Sequence, residues 1–229
     1  MNRVDETKRL LAASSEVQRR EIFTSMRREF SVHPLETKLD AEAGTILDAV
    51  SKVDDFTLRG ILKLIPEAAF KVYVVSALAN WRDESPPGYH SFDFLLRDAV
   101  GGVRVRVKTQ CLRGHVPMMA TQVYQQLPAD MYMVETQRIR GGKNHKTGED
   151  TRPYKFGEFD VLAVSMHPST RDWSSFMYTV AEWLLPRPEN KALMLKFQPV
   201  SRSSNDVWTD SIETCIGWFR SKEEKTILD

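Results

Sequence analysis

The chain has 229 residues, long enough for one large domain or a domain with a small helical extension. Its 41% hydrophobic and 28% charged residues are ordinary for a globular chain, and a formal net charge of +1 excludes a simple polycationic nucleic-acid binder. That balance leaves open a nucleic-acid enzyme, because metal-site carboxylates cancel basic groove residues in the sum.

No apolar run is long and unbroken enough to suggest a membrane span. The first turns carry Asp5, Glu6 and Lys8 and lack a secretory apolar core. Cys111 and Cys215 have no metal-ligand spacing, so reduced thiols and a cytoplasmic location are expected.

In chain order, residues 4 to 31 read as a helix with an interrupted apolar stripe (Leu10, Leu11, Val17, Ile22, Phe23, Met26), broken by His33-Pro34. Residues 35 to 53 read as a second amphipathic helix. Residues 57 to 80 are apolar enough for a buried helix, which Pro66 starts anew or kinks. The expected organisation is a helical region over 1–56 and an α/β core with a C-terminal helix over 57–229. Arg82 to His90, with two prolines and a glycine, reads as a loop.

Ser91 to Gln110 carries the strongest signal. Asp93 sits in a short apolar run, Asp98 to Gly102 mark a turn, and Val103 to Lys108 alternate strictly. Period-two alternation predicts a half-buried strand with the valines on one face and Arg104, Arg106 and Lys108 on the other. The two runs form a hairpin that brings Asp93 toward Lys108. A carboxylate able to hold Mg²⁺ and a lysine able to position water are the minimum kit for phosphodiester hydrolysis.

Further on, VPMMATQVYQQL (116–127) reads as a helix, and MYMVETQRI and GEFDVLAVSM as strands. WSSFMYTVAEWLL (173–185) reads as strand in its first half. Asp206 to Arg220 reads as a closing helix. The basic stretch from Arg138 to Lys155 is long for a loop inside a compact domain. Its Arg138, Arg140, Lys143, Asn144, Lys146, Arg152 and Lys155 are side chains suited to phosphates or base edges. The histidines lack partners at metal-ligand spacing, Ser165 and Ser169 lack a nucleophile signature, and the tryptophans read as core or interface anchors.

Asp93 on one strand, Lys108 on the next, Glu67 in an upstream helix and the downstream order hairpin, helix, strand, strand together resemble the PD-(D/E)XK nuclease superfamily, in particular bacterial type II restriction endonucleases. The resemblance covers roughly Glu67 to His167. It implies a restriction-endonuclease-like mixed sheet flanked by helices and Mg²⁺-dependent cleavage of double-stranded DNA. Glu67 and Asp93 would bind the ion and Lys108 would activate water. It also implies a homodimer and a companion DNA methyltransferase. Glu135, Gln137 and Asp160 are auxiliary candidates.

Arg106 departs from the pattern, for it stands where the family places a metal-ligating acid or glutamine. A +1 charge about 5 Å from a divalent ion costs roughly 6 kcal/mol at an effective dielectric of about 20. Arg106 either swings out to a DNA phosphate, or is neutralised by one of the acids in a weak or dead site, or Glu135 substitutes from the neighbouring strand. The alternatives to a DNA endonuclease are an inactive DNA-binding protein on the same fold and a nuclease for branched, damaged or RNA substrates.

Overall fold

A computed structural model describes residues 2–29, 34–62, 64–138 and 152–228. The chain divides into two compact units, Met1–Gly60 and Ile61–Asp229. The first carries α1 (Arg3–Ala13), α2 (Glu16–Glu29), α3 (Pro34–Leu39) and α4 (Ala43–Ser51). Each expected long helix is therefore two shorter ones. Ser15 and Gln18 exchange side-chain-to-backbone hydrogen bonds, a capping box that starts α2 afresh. Asp40 takes a positive φ of 47°, which ends α3 before α4 begins.

α5 (Asp55–Leu62) leads into the second unit, where α6 (Ile65–Ala69) runs into a π-helical turn at Phe70–Val74 and a 3₁₀ turn at Val75–Ala77. Pro66 lies in the first turn of α6, where its missing N–H costs nothing. The strands are β1 (Arg82–Asp83), β2 (Phe94–Arg97), β3 (Gly102–Thr109), β4 (Leu112–Arg113), β5 (Val116–Pro117), β6 (Tyr132–Glu135), β7 (Val161–Ser165), β8 (Phe176–Val180) and β9 (Phe197–Val200). A helical turn, α7 (His167–Thr170), joins β7 to β8, and α8 (Ile212–Ser221) closes the chain. Among the described residues no helix is long and apolar enough to cross a membrane.

The class is mixed α/β. A five-stranded sheet has the order β1-β2-β3-β7-β8, with β3 and β7 parallel and the other pairs antiparallel. The expected hairpin is present as β2 and β3, with Phe94 opposite Val105. The valines of β3 face the core as expected; on the opposite face Arg104 and Lys108 are half-buried, and Arg106 is only 5% exposed.

Two expectations fail downstream. Residues 116–127 are not a helix: Val116–Pro117 pair with Leu112–Arg113, and only Ala120–Gln122 turn, as a 3₁₀ segment. The segment is claimed by the strand beside it, through Ala120 N–H to Met131 O and the Met119–Tyr132 bridge. β6 forms, yet it pairs with β9 in a separate two-stranded sheet while β7 takes the place beside β3. The closing helix starts at Ile212, not Asp206, because the Asn205 carboxamide turns the preceding residues.

Candidate functional site

β3 outruns β2. The β2 ladder covers β3 only from Gly102 to Val105, while β7 continues along the other side to Thr109. The N–H of Val107 therefore points toward a side from which β2 has already departed. The Asp93 side chain fills that gap: Oδ2 accepts from the Val107 N–H at 2.7 Å, and Oδ1 accepts from Arg106 Nη1 at 2.7 Å. The register puts Asp93 opposite Arg106, so the pair is a cross-strand contact.

The same device operates at the other end and on the other side of β3. Before β7 begins, Asp160 accepts from the Arg104 N–H at 2.7 Å and from its guanidinium at 2.6 and 3.1 Å. Asp160 thus extends the ladder rather than entering the cleft. Asp93, viewed in this light, has a structural task that a strand-borne carboxylate performs without a metal.

Phe70 brings Glu67 to the site. Its ring is fully buried and meets Phe94 of β2 at 5.0 Å and Phe176 of β8 at 5.5 Å between centroids. Pro66 and Ala69 are buried with it, which seats α6 against the sheet and leaves Glu67, one turn before Phe70, beside β3.

A cleft of about 250 Å³ opens there, lined by Glu67, Arg106, Lys108, Glu135, Gln137, Arg138 and Arg152, with Pro66, Val107, Thr109 and Cys111. This lies below the range of about 300–1,000 Å³ usual for small-molecule pockets. Four of the lining side chains are cationic and two are acidic. Glu135 is exposed and lies 3.7 Å from Lys196.

Tyr154 gathers the cations from behind. Its ring lies 4.8 Å from Arg138 and 5.4 Å from both Arg106 and Lys108. Lys108 Nζ donates to the Gln137 carbonyl at 2.7 Å, and Arg138 pairs with Glu158. Tyr154 went unrecognised in the sequence; the available sign was an aromatic embedded in a basic stretch.

Burial, chiefly, and the Asp93 charge raise Glu67 to about 7, against the opposing pull of Arg106 and Lys108. Burial likewise moves Asp93 above the usual carboxylate range, opposed by Arg106, the Val107 N–H and Lys108.

The structure thus brings together Glu67, Arg106, Lys108, Glu135, Gln137, Arg138 and Arg152 at the cleft, with Asp93 bonded to Arg106 from outside the lining. Asp160 and Lys155 are not among the lining residues. Arg140, Lys143, Asn144 and Lys146 lie outside the described residues.

Asp93, one of the two expected magnesium ligands, is engaged by protein donors. Both Asp93 oxygens hold hydrogen bonds, one from a buried guanidinium, and burial raises the Glu67 carboxyl to about 7. Among the described residues no three His, Cys, Asp or Glu side chains converge as a ligand set. Of the arrangements open to Arg106, neutralisation by an acid is the one present. No family model matches the chain, and no curated protein or solved structure is significantly similar to it.

Proposed function

We propose that this chain binds the phosphodiester backbone of nucleic acid in the cleft beside β3, on a restriction-endonuclease-like scaffold, and does not cut it. The observation that carries the reading is the convergence of Arg106, Lys108, Arg138 and Arg152 on one open groove. Cations placed along a groove give salt-dependent, largely sequence-independent affinity for a polyanion. The sequence continues from Arg138 into a stretch that includes Arg140, Lys143 and Lys146.

Binding without cleavage follows from Asp93, whose carboxylate is committed to Arg106 and to the β3 backbone. A second reading, a magnesium-dependent DNA endonuclease, is favoured by Glu67, Asp93 and Lys108 lying within electrostatic reach of one another. It requires Arg106 to leave Asp93.

The test combines a gel shift on duplex DNA across a salt series with incubation of plasmid DNA and Mg²⁺. Retarded duplex, a negative salt slope and intact plasmid are expected. Discrete fragments favour the endonuclease. Absence of both retardation and cutting overturns both readings.

A further inference from the structure

We infer that the hollow between the β7–β8 connection and the segment that follows β9 is a binding site for a free α-amino acid, with Arg202 taking its carboxylate and Asp210 its ammonium group. The hollow measures about 630 Å³, within the range of about 300–1,000 Å³ usual for small-molecule pockets. It shares no lining residue with the cleft beside β3, so the inference stands apart from the function proposed above.

Both charged groups are held in place, and neither is neutralised. The Arg202 guanidinium lies 4.7 Å from the centre of the Tyr132 ring, and Nη2 donates to the Met119 sulfur at 3.3 Å. A thioether is a weak acceptor. Among the described residues Nε and Nη1 have no acceptor, and no carboxylate stands within ion-pair distance of Arg202. The Asp210 carboxylate accepts from the Ser204 hydroxyl at 2.9 Å, and the Asp210 N–H donates to that same hydroxyl at 3.1 Å. Among the described residues no cation stands within ion-pair distance of Asp210. Arg202 and Asp210 are both exposed, so a small solute can reach each of them.

The pair of opposite charges selects the ligand class. Coulomb energy is linear in charge, so a phosphate drawn to Arg202 is repelled by Asp210 to a similar degree. A zwitterion gains from both walls. The guanidinium fork matches a carboxylate, and holding both groups beforehand lowers the cost of ordering them. Met166, Phe176 and Met177 line the same hollow and offer apolar atoms to a side chain such as that of leucine or methionine.

The experiment titrates the full chain by calorimetry with L-leucine, L-methionine, L-leucinamide, N-acetyl-L-leucine and glucose 6-phosphate. Leucine and methionine should bind. Leucinamide, which lacks the carboxylate, and N-acetyl-leucine, which lacks the ammonium group, should each bind about tenfold more weakly, the worth of one charge-assisted hydrogen bond. Arg202→Gln should bind leucine and leucinamide alike, and Asp210→Asn should bind leucine and N-acetyl-leucine alike. Both side chains are exposed, so the variants should fold, which circular dichroism verifies.

Absence of binding by leucine and methionine at about 10 mM, where even a millimolar site is nearly filled, overturns the inference without any variant. So does equal binding of the capped forms by the native chain, or tighter binding of glucose 6-phosphate than of leucine. A folded Arg202→Gln chain that still discriminates against leucinamide overturns the assignment of Arg202, and a folded Asp210→Asn chain that still discriminates against N-acetyl-leucine overturns that of Asp210.

Discussion

Replacing Glu67 with glutamine removes a titrating proton and keeps the shape of the side chain. The carboxyl is held at about 7, against an ordinary 4.5, so the folded chain binds this proton more tightly than the unfolded chain. The stability gained is complete below about pH 4.5 and is lost as pH rises through about 7. That displacement corresponds to roughly 3 kcal/mol at 1.36 kcal/mol per pH unit, and solvent screening of a half-buried carboxyl reduces it to about 1–2 kcal/mol. Glu67→Gln should therefore gain about 1–2 kcal/mol relative to the native chain on going from pH 4.5 to pH 8. Urea unfolding followed by tryptophan fluorescence is the assay, because all five tryptophans lie in the Ile61–Asp229 unit. A stability difference between the two chains that does not change with pH, or that changes in the opposite sense, would refute the burial of Glu67 beside β3.

Arg106→Ala leaves the Asp93 charge buried beside the Val107 N–H alone, and should cost about 3–5 kcal/mol in urea unfolding. Adding Asp93→Asn should recover a large part of that loss, and additive single changes would mean that the pair is not coupled. Tyr154→Phe should leave the chain at least as stable, since the buried hydroxyl has no partner. Tyr154→Leu should destabilise it and loosen three cations at once, read as weaker duplex binding. Phe70→Ala should cost about 3–5 kcal/mol and lower the Glu67 midpoint toward 4.5 in an NMR titration, since it unseats α6. An unmoved midpoint would mean that Phe70 does not hold Glu67 in place.

The hairpin was legible because its alternation and its turn are both local. Glu67 was legible only as a position; its seating depends on Phe70 meeting rings from β2 and β8, which no window of sequence reveals. The 116–127 segment misled because its apolar and amide residues satisfy a helical pattern, while Pro117 and the backbone bonds to Met131 and Tyr132 settle it otherwise. β6 was recognisable as a strand, but the sequence does not say that β9, more than sixty residues later, is its partner. Arg106 was recognised as the exception in the motif. What remained hidden was its partner, because the choice between solvent, phosphate and Asp93 rests on how far β2 extends along β3.

The two outer strands of the five-stranded sheet carry a consequence for assembly. On one side β1 is only Arg82–Asp83, short, charged and exposed. On the other, Tyr178 of β8 exchanges backbone hydrogen bonds with Thr209 at 2.7 and 3.0 Å, and the Thr179 hydroxyl donates to Val207 O. A short charged margin and a margin already stitched to the chain's own loop are poor templates for an incoming strand. Copies of this protein that associate through this sheet must therefore meet through side chains, and the sheet itself resists growing into a shared ribbon.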